Sequence, residues 1–345
     1  MKKSSIIKLI KYHAEGNDNS FREEAYKVAR YFHNNGDEEL SHYIMAQLSS
    51  VNTFVPQINE TALTFFKKDT FENDPLPLPD PLKDDITGII NAIGHNVGVN
   101  KFLFQGFPGT GKTATARQIA KILGRDLFLA DFTSVIDCKL GQTAKNISQM
   151  FRQMNMVSHP ENAVFLFDEI DALALDRTNT NDLREMGRAA SEVIKGLDSL
   201  SDDIVIIATT NLYGAMDKAI SRRFDKVVDF NRYSQEDLRE IAVILLSHYL
   251  GKFTFAATNM RLFKKIISLM NPLPNPGELK NYIKISLAFS RQDDGFDYLK
   301  RMYKDISKNT SDLAIMRKQG FTLREIEILT NVSKSQVSRE VNSNE

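Results

Sequence analysis

The chain holds one cysteine, Cys138, among 345 residues. A lone thiol forms neither an intrachain disulfide framework nor a multi-cysteine metal site, and it points to a reducing, cytoplasmic setting. Long apolar runs are also missing. None approaches the ~20 residues needed to span a bilayer, and in MKKSSIIKLIKYHAEG the charges of Lys8 and Lys11 interrupt the run before a signal-peptide core forms. We read that stretch as a helix and expect no membrane partner. Charge of one sign is lacking too, with 44 Lys and Arg against 44 Asp and Glu. That balance argues against a surface built as a whole to hold nucleic acid, while leaving room for a local basic face. The six histidines show no metal-ligand spacing, and no nucleophile–base pattern for peptidase chemistry is present. Internal repeats and low-complexity tracts are absent as well.

What remains is an ordinary globular composition, 42% hydrophobic and 26% charged, long enough for two or three domains. Residues 4 to 49 carry apolar side chains at helical spacing, as in Ile6, Ile7, Leu9 and Ile10 and again in Phe21, Ala25, Val28 and Phe32. Three short helices are expected, broken at Gly16-Asn17-Asp18 and Asn34-Asn35-Gly36. Such a segment buries little alone, and it reads equally as a packing appendage or an adaptor for partners. Pro75, Pro77, Pro79 and Pro81 then crowd one short stretch. They disfavour helix, so an extended linker is expected over 51–85.

Beyond the linker, the runs KFLFQ, DLFLADF, AVFLFDE and DIVIIATT alternate with helical segments, the pattern of a parallel sheet with helical crossovers. From about Ser234 onward the periodicity is helical only.

The stretch GFPGTGKT, residues 106–113, follows the first of these strands and opens a helix. This is the context in which a glycine-rich loop cradles phosphate. Glycines let backbone N–H groups converge on phosphate oxygens, Lys112 reaches the β- and γ-phosphates, and Thr113 ligates magnesium. The expected ligand is a nucleoside triphosphate with Mg2+, held by Pro108, Gly109, Thr110, Gly111, Lys112, Thr113 and Ala114. Further on, the buried-strand pattern AVFLF ends in Asp168-Glu169. Charge at such a place needs a cation or a partner. Asp168 is therefore expected to support the metal, and Glu169 to polarise an attacking water. The next strand ends in Thr210-Asn211, where the amide of Asn211 can meet the γ-phosphate or the water. The adjacent Arg222 and Arg223 are either solvated charge or guanidinium groups offered to a neighbouring molecule's phosphates.

Together these residues resemble the AAA+ ATPase family, in its classical AAA branch, from roughly residue 74 to 290. GFPGTGKT is similar to its Walker A loop, VFLFDEID to its Walker B strand, ATTN to its sensor-1 strand and AMDKAISRRFD to its second region of homology. The resemblance implies an α/β P-loop NTPase fold, a parallel sheet with helices on both faces, followed by a helical lid. It also implies a homo-oligomeric ring, usually a hexamer, that binds ATP between subunits and works on a protein partner. In it Glu169 and Asn211 act on the lytic water and the γ-phosphate, and arginine fingers complete the neighbour's site. The segment Pro276-Gly277-Glu278-Leu279-Lys280-Asn281 resembles the adenine-facing part of the lid, which brings in Gly277, with Lys280 as the stand-in for the sensor arginine that classical members lack. Two departures stand out. Arg222 and Arg223 are contiguous, which leaves open which one reaches across. In the pore-loop segment Asp137–Thr143, Lys139 stands where threading members carry an aromatic, so remodelling or switching is expected over processive unfolding. The N-terminal pattern also resembles the helical leader of a bacterial AAA subgroup, some of whose members are encoded beside a subtilisin-like protease and suspected of roles in defence.

The expected division is thus 1–50 helical, 51–85 linker, 86–232 α/β ATPase domain, 233–292 lid and 293–345 a helical C-terminal segment. In that last segment Thr322 caps one helix with Ile326 and Leu329 inward, Asn331 takes a left-handed turn, and Ser333 caps a second helix over Val337. The spacing resembles a helix-turn-helix, which would offer Ser335, Gln336 and Arg339 to DNA. Glu327 stands where such motifs usually have alanine, and Met316 onward carries five Lys/Arg against four Asp/Glu. A packing or protein-docking role for the tail stays open on this reading.

Overall fold

The computed structural model describes residues 3–14, 21, 24–25, 27–29, 31–32, 63–69, 77–136, 141–173, 180–308 and 312–342. The chain divides into two compact units, 1–62 with 157–159, and 63–156 with 160–345. In the smaller unit helix α1 spans Lys3–Ala14, and Ala25, Val28 and Ala29 are buried. The expected helix over 37–49 and most of the expected linker lie outside the described residues.

In the larger unit six strands form one sheet in the order β1-β3-β4-β5-β2-β6. They are β1 (Phe66–Lys68), β2 (Lys101–Gln105), β3 (Asp126–Ala130), β4 (Ala163–Phe167), β5 (Val205–Thr210) and β6 (Lys226–Asp229). All neighbours run parallel except β1, which pairs antiparallel with β3 at one edge. Every residue of β4 and β5 is buried, as central strands covered on both faces must be. The long helices between them are α2 (Asp80–Gly94), α3 (Lys112–Leu123), α4 (Gln142–Asn155) and α5 (Thr180–Asp198).

The linker expected to continue to residue 85 is instead helical from Asp80. Pro79 occupies the N-cap of α2 and Pro81 its first turn, where the missing N–H would have had no helical partner anyway. Leu82, Ile86, Ile89 and Ile93 on α2 then pack into the core with Phe102 and Phe104 of β2 and Ile119 of α3.

Residues from Ser234 on are helical: α6 (Gln235–Leu250), α7 (Met260–Ser268), α8 (Pro276–Ala288), α9 (Asp297–Ile306), α10 (Leu313–Lys318), α11 (Leu323–Thr330) and α12 (Lys334–Asn342). Ser234 and Asp237 form a capping box that starts α6, and Asn275 caps α8. One apolar core runs through all seven helices, from Leu245 and Ile283 to Met316, Ile326 and Val337.

Candidate nucleotide site

Sheet order brings the site together. Strands β4, β5 and β2 are neighbours, and their registers set Phe167 beside Ala208 and Gln105 beside Thr210. The residues that follow those strands, Asp168-Glu169, Asn211 and the 106–113 loop, therefore emerge side by side at the carboxyl edge, where open α/β sheets bind ligands. Asp168, Glu169, Asn211 and residues 108–113 of the loop line one cavity of about 380 Å³, with Thr209, Tyr233 and Gly277.

The loop is shaped by glycine backbone. Gly109 and Gly111 have φ of +78° and +97°, conformations that side chains resist. Gly111 is also the N-cap of α3, whose first N–H groups have no partner within the helix and face the cavity end. The lid closes on this loop through Gly277, whose N–H donates to Gly109 O at 2.8 Å. A Cβ on Gly277 would stand 2.8 Å from that same oxygen, so the approach is open to glycine alone. Tyr233 Oη donates to Thr110 O at 2.9 Å and ties the start of the lid to the same loop.

Lys112 is only 7% exposed. Its Nζ donates to Gly106 O at 2.7 Å, Phe107 O at 2.9 Å and Asn211 Oδ1 at 2.8 Å. Burial pushes its ammonium below the ordinary lysine value, and Asp168, Asp171 and Glu169 offset part of that shift. The Nδ2 of Asn211 donates to Glu169 Oε1 at 3.2 Å, so a single amide joins the lysine to the glutamate. Glu169 itself sits at φ +54°, with its N–H on Thr209 Oγ1 at 2.9 Å. Asp168 Oδ1 accepts from Thr113 Oγ1 at 2.8 Å and from Thr209 Oγ1 at 2.6 Å.

The structure separates the two arginines. Arg223 makes a two-pronged contact with Asp198 of its own chain, at 3.1 Å and 3.2 Å, which raises its pKa. Arg222 is exposed. Asp137, Cys138, Lys139 and Leu140 of the expected pore loop lie outside the described residues, and Gly141 opens α4 at φ +78°.

Two contributors escape a reading of the residues alone. Thr209 joins Asp168 to the Glu169 backbone, and only the β4–β5 register, which sets it next to Asp168, shows this. Asp171, 8% exposed, accepts the Asn211 N–H on Oδ2 at 3.2 Å and so fixes the backbone that carries the amide. Its place in the acidic run after β4 was the available signal.

Residues 102–232 match the model of the AAA family, ATPases associated with various cellular activities. An AAA family ATPase of Sinorhizobium fredii is 38% identical over 133 residues, which make up 39% of each chain. A putative 26S proteasome regulatory subunit homolog of Methanothermobacter thermautotrophicus is 31% identical over 137 residues, 39% of this chain and 36% of that one. The rat peroxisomal ATPase PEX6 is 28% identical over 248 residues, 70% of this chain and 23% of that one. The chain thus spans about two fifths or less of each of these relatives. A solved chain from an Escherichia coli HORMA:CdnC:Trip13 complex superposes with a TM-score of 0.55 at 18% identity, over 72% of this chain and 97% of that one. At that identity the likeness speaks to the fold. With a phosphate loop, an acidic strand end and an asparagine tip meeting at one sheet edge, and a family match over the same residues, the chain carries an ATPase domain of the AAA family.

Proposed function

We propose that this chain is a ring-forming ATPase of the classical AAA branch, hydrolysing ATP to ADP and phosphate to remodel or switch a protein or protein–DNA partner. The observation that carries it is the chain Lys112–Asn211–Glu169, set beside the Asp168–Thr113 contact in one cavity. The residues suit the ligands. A carboxylate oxygen with two hydroxyls is a hard oxygen set of the kind magnesium takes, and the loop beside it holds the positive-φ backbone at Gly109 and Gly111 that lets N–H groups converge. Mg2+ held by Thr113 and Asp168 would neutralise charge on the phosphates.

In this reading the loop from Pro108 to Ala114 cradles the phosphates. Lys112, freed from the Gly106 and Phe107 carbonyls, turns its ammonium to them. Glu169 takes the proton of the attacking water, and Asn211 holds both the glutamate and the lysine in register with the γ-phosphate. Gly277 seats the lid beside the nucleotide, the ATPase body spans 86–232 and the lid 233–292. Arg222 reaches the neighbour's phosphates, since Arg223 is committed to Asp198. That assignment requires a homo-oligomer, for which we take a hexamer. The lone cysteine supports a cytoplasmic setting, and a role in bacterial defence or a mobile element rests on the N-terminal resemblance. Relatives named for proteasome regulation and peroxisomal ATPase activity support a protein partner. The test is phosphate release by the purified chain: Glu169→Gln should bind ATP yet turn over at least 100-fold more slowly. Unchanged turnover in that variant would remove the assignment.

A second reading makes the protein an ATP-controlled regulator assembling on DNA. One observation favours it. Residues 322–342 form two helices around Asn331 at φ +61°, with Val337 buried and Ser335, Gln336 and Arg339 exposed. A chain ending near Ser311 should then hydrolyse ATP but lose duplex affinity.

A further inference from the structure

Residues 312–342 are welded to the helices that precede them, in the lid and in α9. Lys300 of α9 donates to Asn331 Oδ1 in the turn at 2.6 Å, and Tyr303 Oη donates to Gln319 Oε1 at 3.0 Å. Lys265 of α7 donates to Gly320 O at 2.8 Å and to Glu325 Oε2 at 2.7 Å. With Val337 in the common core, α12 is held at a fixed position relative to the lid surface.

The sequence charge of the tail understates what it shows outward. Glu325, with its side chain 9% exposed, turns inward: it accepts the Thr322 N–H at 2.7 Å and Lys265 Nζ, and lies 3.7 Å from Arg261 Nε. Glu327, the departure from the alanine usual at that place, accepts the Lys334 N–H at 3.1 Å and caps α12. Glu340 is exposed and takes the Gln336 amide at 3.1 Å. Across α11 and α12 the exposed charges are therefore Arg324, Lys334 and Arg339 against Glu340. Beside them stands Arg261, from the lid, with its side chain 75% exposed. In a docked helix-turn-helix the first helix crosses the phosphate backbone while the second lies in the major groove. Arg261 sits against Glu325 in the opening turn of that first helix.

We infer, on the DNA-binding reading of the tail, that the duplex-binding surface is shared by two parts of the chain: α12 reads the major groove through Ser335, Gln336 and Arg339, while Arg261 of the lid contacts a phosphate of the same duplex. Lys265 stands behind Arg261 and holds Glu325 in place. The lid thus supplies charge that the tail lacks, and cutting the chain at residue 311 removes only the base-reading half.

The experiment titrates the full chain into labelled duplexes, one of mixed sequence and one selected from a random pool, across a series of salt concentrations. Arg261→Ala should weaken binding equally on both and lower the slope of log affinity against log salt by about one, the loss of one phosphate contact. Gln336→Ala should narrow the difference between the two duplexes. Glu325→Gln keeps a residue able to close the capping box but releases Arg261, so its affinity should rise several-fold with a steeper salt slope. Melting curves matching the wild type confirm folding of each variant. If Arg261→Ala and Glu325→Gln both bind as the wild type does while Gln336→Ala loses preference, the shared surface is wrong and the tail alone binds. If the intact protein binds neither duplex at low salt, α12 is a protein-docking face and both the inference and the DNA reading fall.

Discussion

Asn211 accepts a hydrogen bond from Lys112 Nζ at 2.8 Å and passes a second one, at 3.2 Å, to Glu169. One amide therefore positions both the lysine and the glutamate to which the proposed function gives phosphate binding and general-base catalysis. Replacing it by alanine leaves the glycine loop intact, removes the amide from Glu169 and leaves Lys112 to the Gly106 and Phe107 carbonyls. Asn211→Ala should lower kcat by about 10–100-fold with a smaller change in nucleotide affinity, read by steady-state kinetics beside nucleotide titration. A loss of affinity with kcat unchanged would mean that the amide serves binding alone.

Arg222 and Arg223 should separate cleanly. Arg222→Ala is expected to cut turnover by about 10³-fold or more with the melting temperature unchanged, as loss of a trans-acting guanidinium does. Arg223→Ala breaks the contact to Asp198 and should lower the melting temperature slightly while its own exposed neighbour still works. Mixing Arg222→Ala chains with Glu169→Gln chains should restore part of the activity, because each supplies what the other lacks across an interface.

The Gly277 seam offers a steric test. Gly277→Ala would set a methyl 2.8 Å from Gly109 O and 2.9 Å from its Cα. Both atoms are backbone, so the lid has to shift, at ~1–3 kcal/mol by the usual cost of overpacking. ATP affinity should fall by about tenfold or more while the far-ultraviolet dichroism stays that of the wild type.

Much of this site is legible in the sequence because it is local. The loop 106–113 and the acidic pair Asp168-Glu169 each lie within one short segment, so spacing alone exposes them. What escapes depends on pairing. Strand β1 is three residues, Phe-Lys-Lys, too short to show a period, and β6 is four. The role of Thr209 follows from a register between strands some 40 positions apart, and the ion pair that occupies Arg223 comes from Asp198, 25 positions away. In the tail the caps Thr322, Asn331 and Ser333 were readable as turn chemistry, whereas the inward swing of Glu325 onto Lys265 was not.

Alkaline pH probes the core shared by the C-terminal helices. Burial pushes the Tyr298 phenol up to about 12, and its Oη donates to Ala257 O at 3.0 Å. An unfolded tyrosine ionises near ~10. Between that value and about 12 the unfolded chain loses a proton that the folded chain keeps, so stability present below pH ~10 is lost as pH rises. Tyr298→Phe should cost about 1 kcal/mol at neutral pH yet flatten this alkaline decline, as measured by urea melts at a series of pH values. An identical decline in the variant would assign it to other groups.

Calorimetric titration of Mg-ATP into the Glu169→Gln chain tests the central claim most directly, since turnover cannot consume the ligand. The account predicts saturable binding near one ATP per chain, abolished when Lys112→Ala is added. Absence of binding heat at saturating ATP, or binding that survives the loss of Lys112 unchanged, would contradict it.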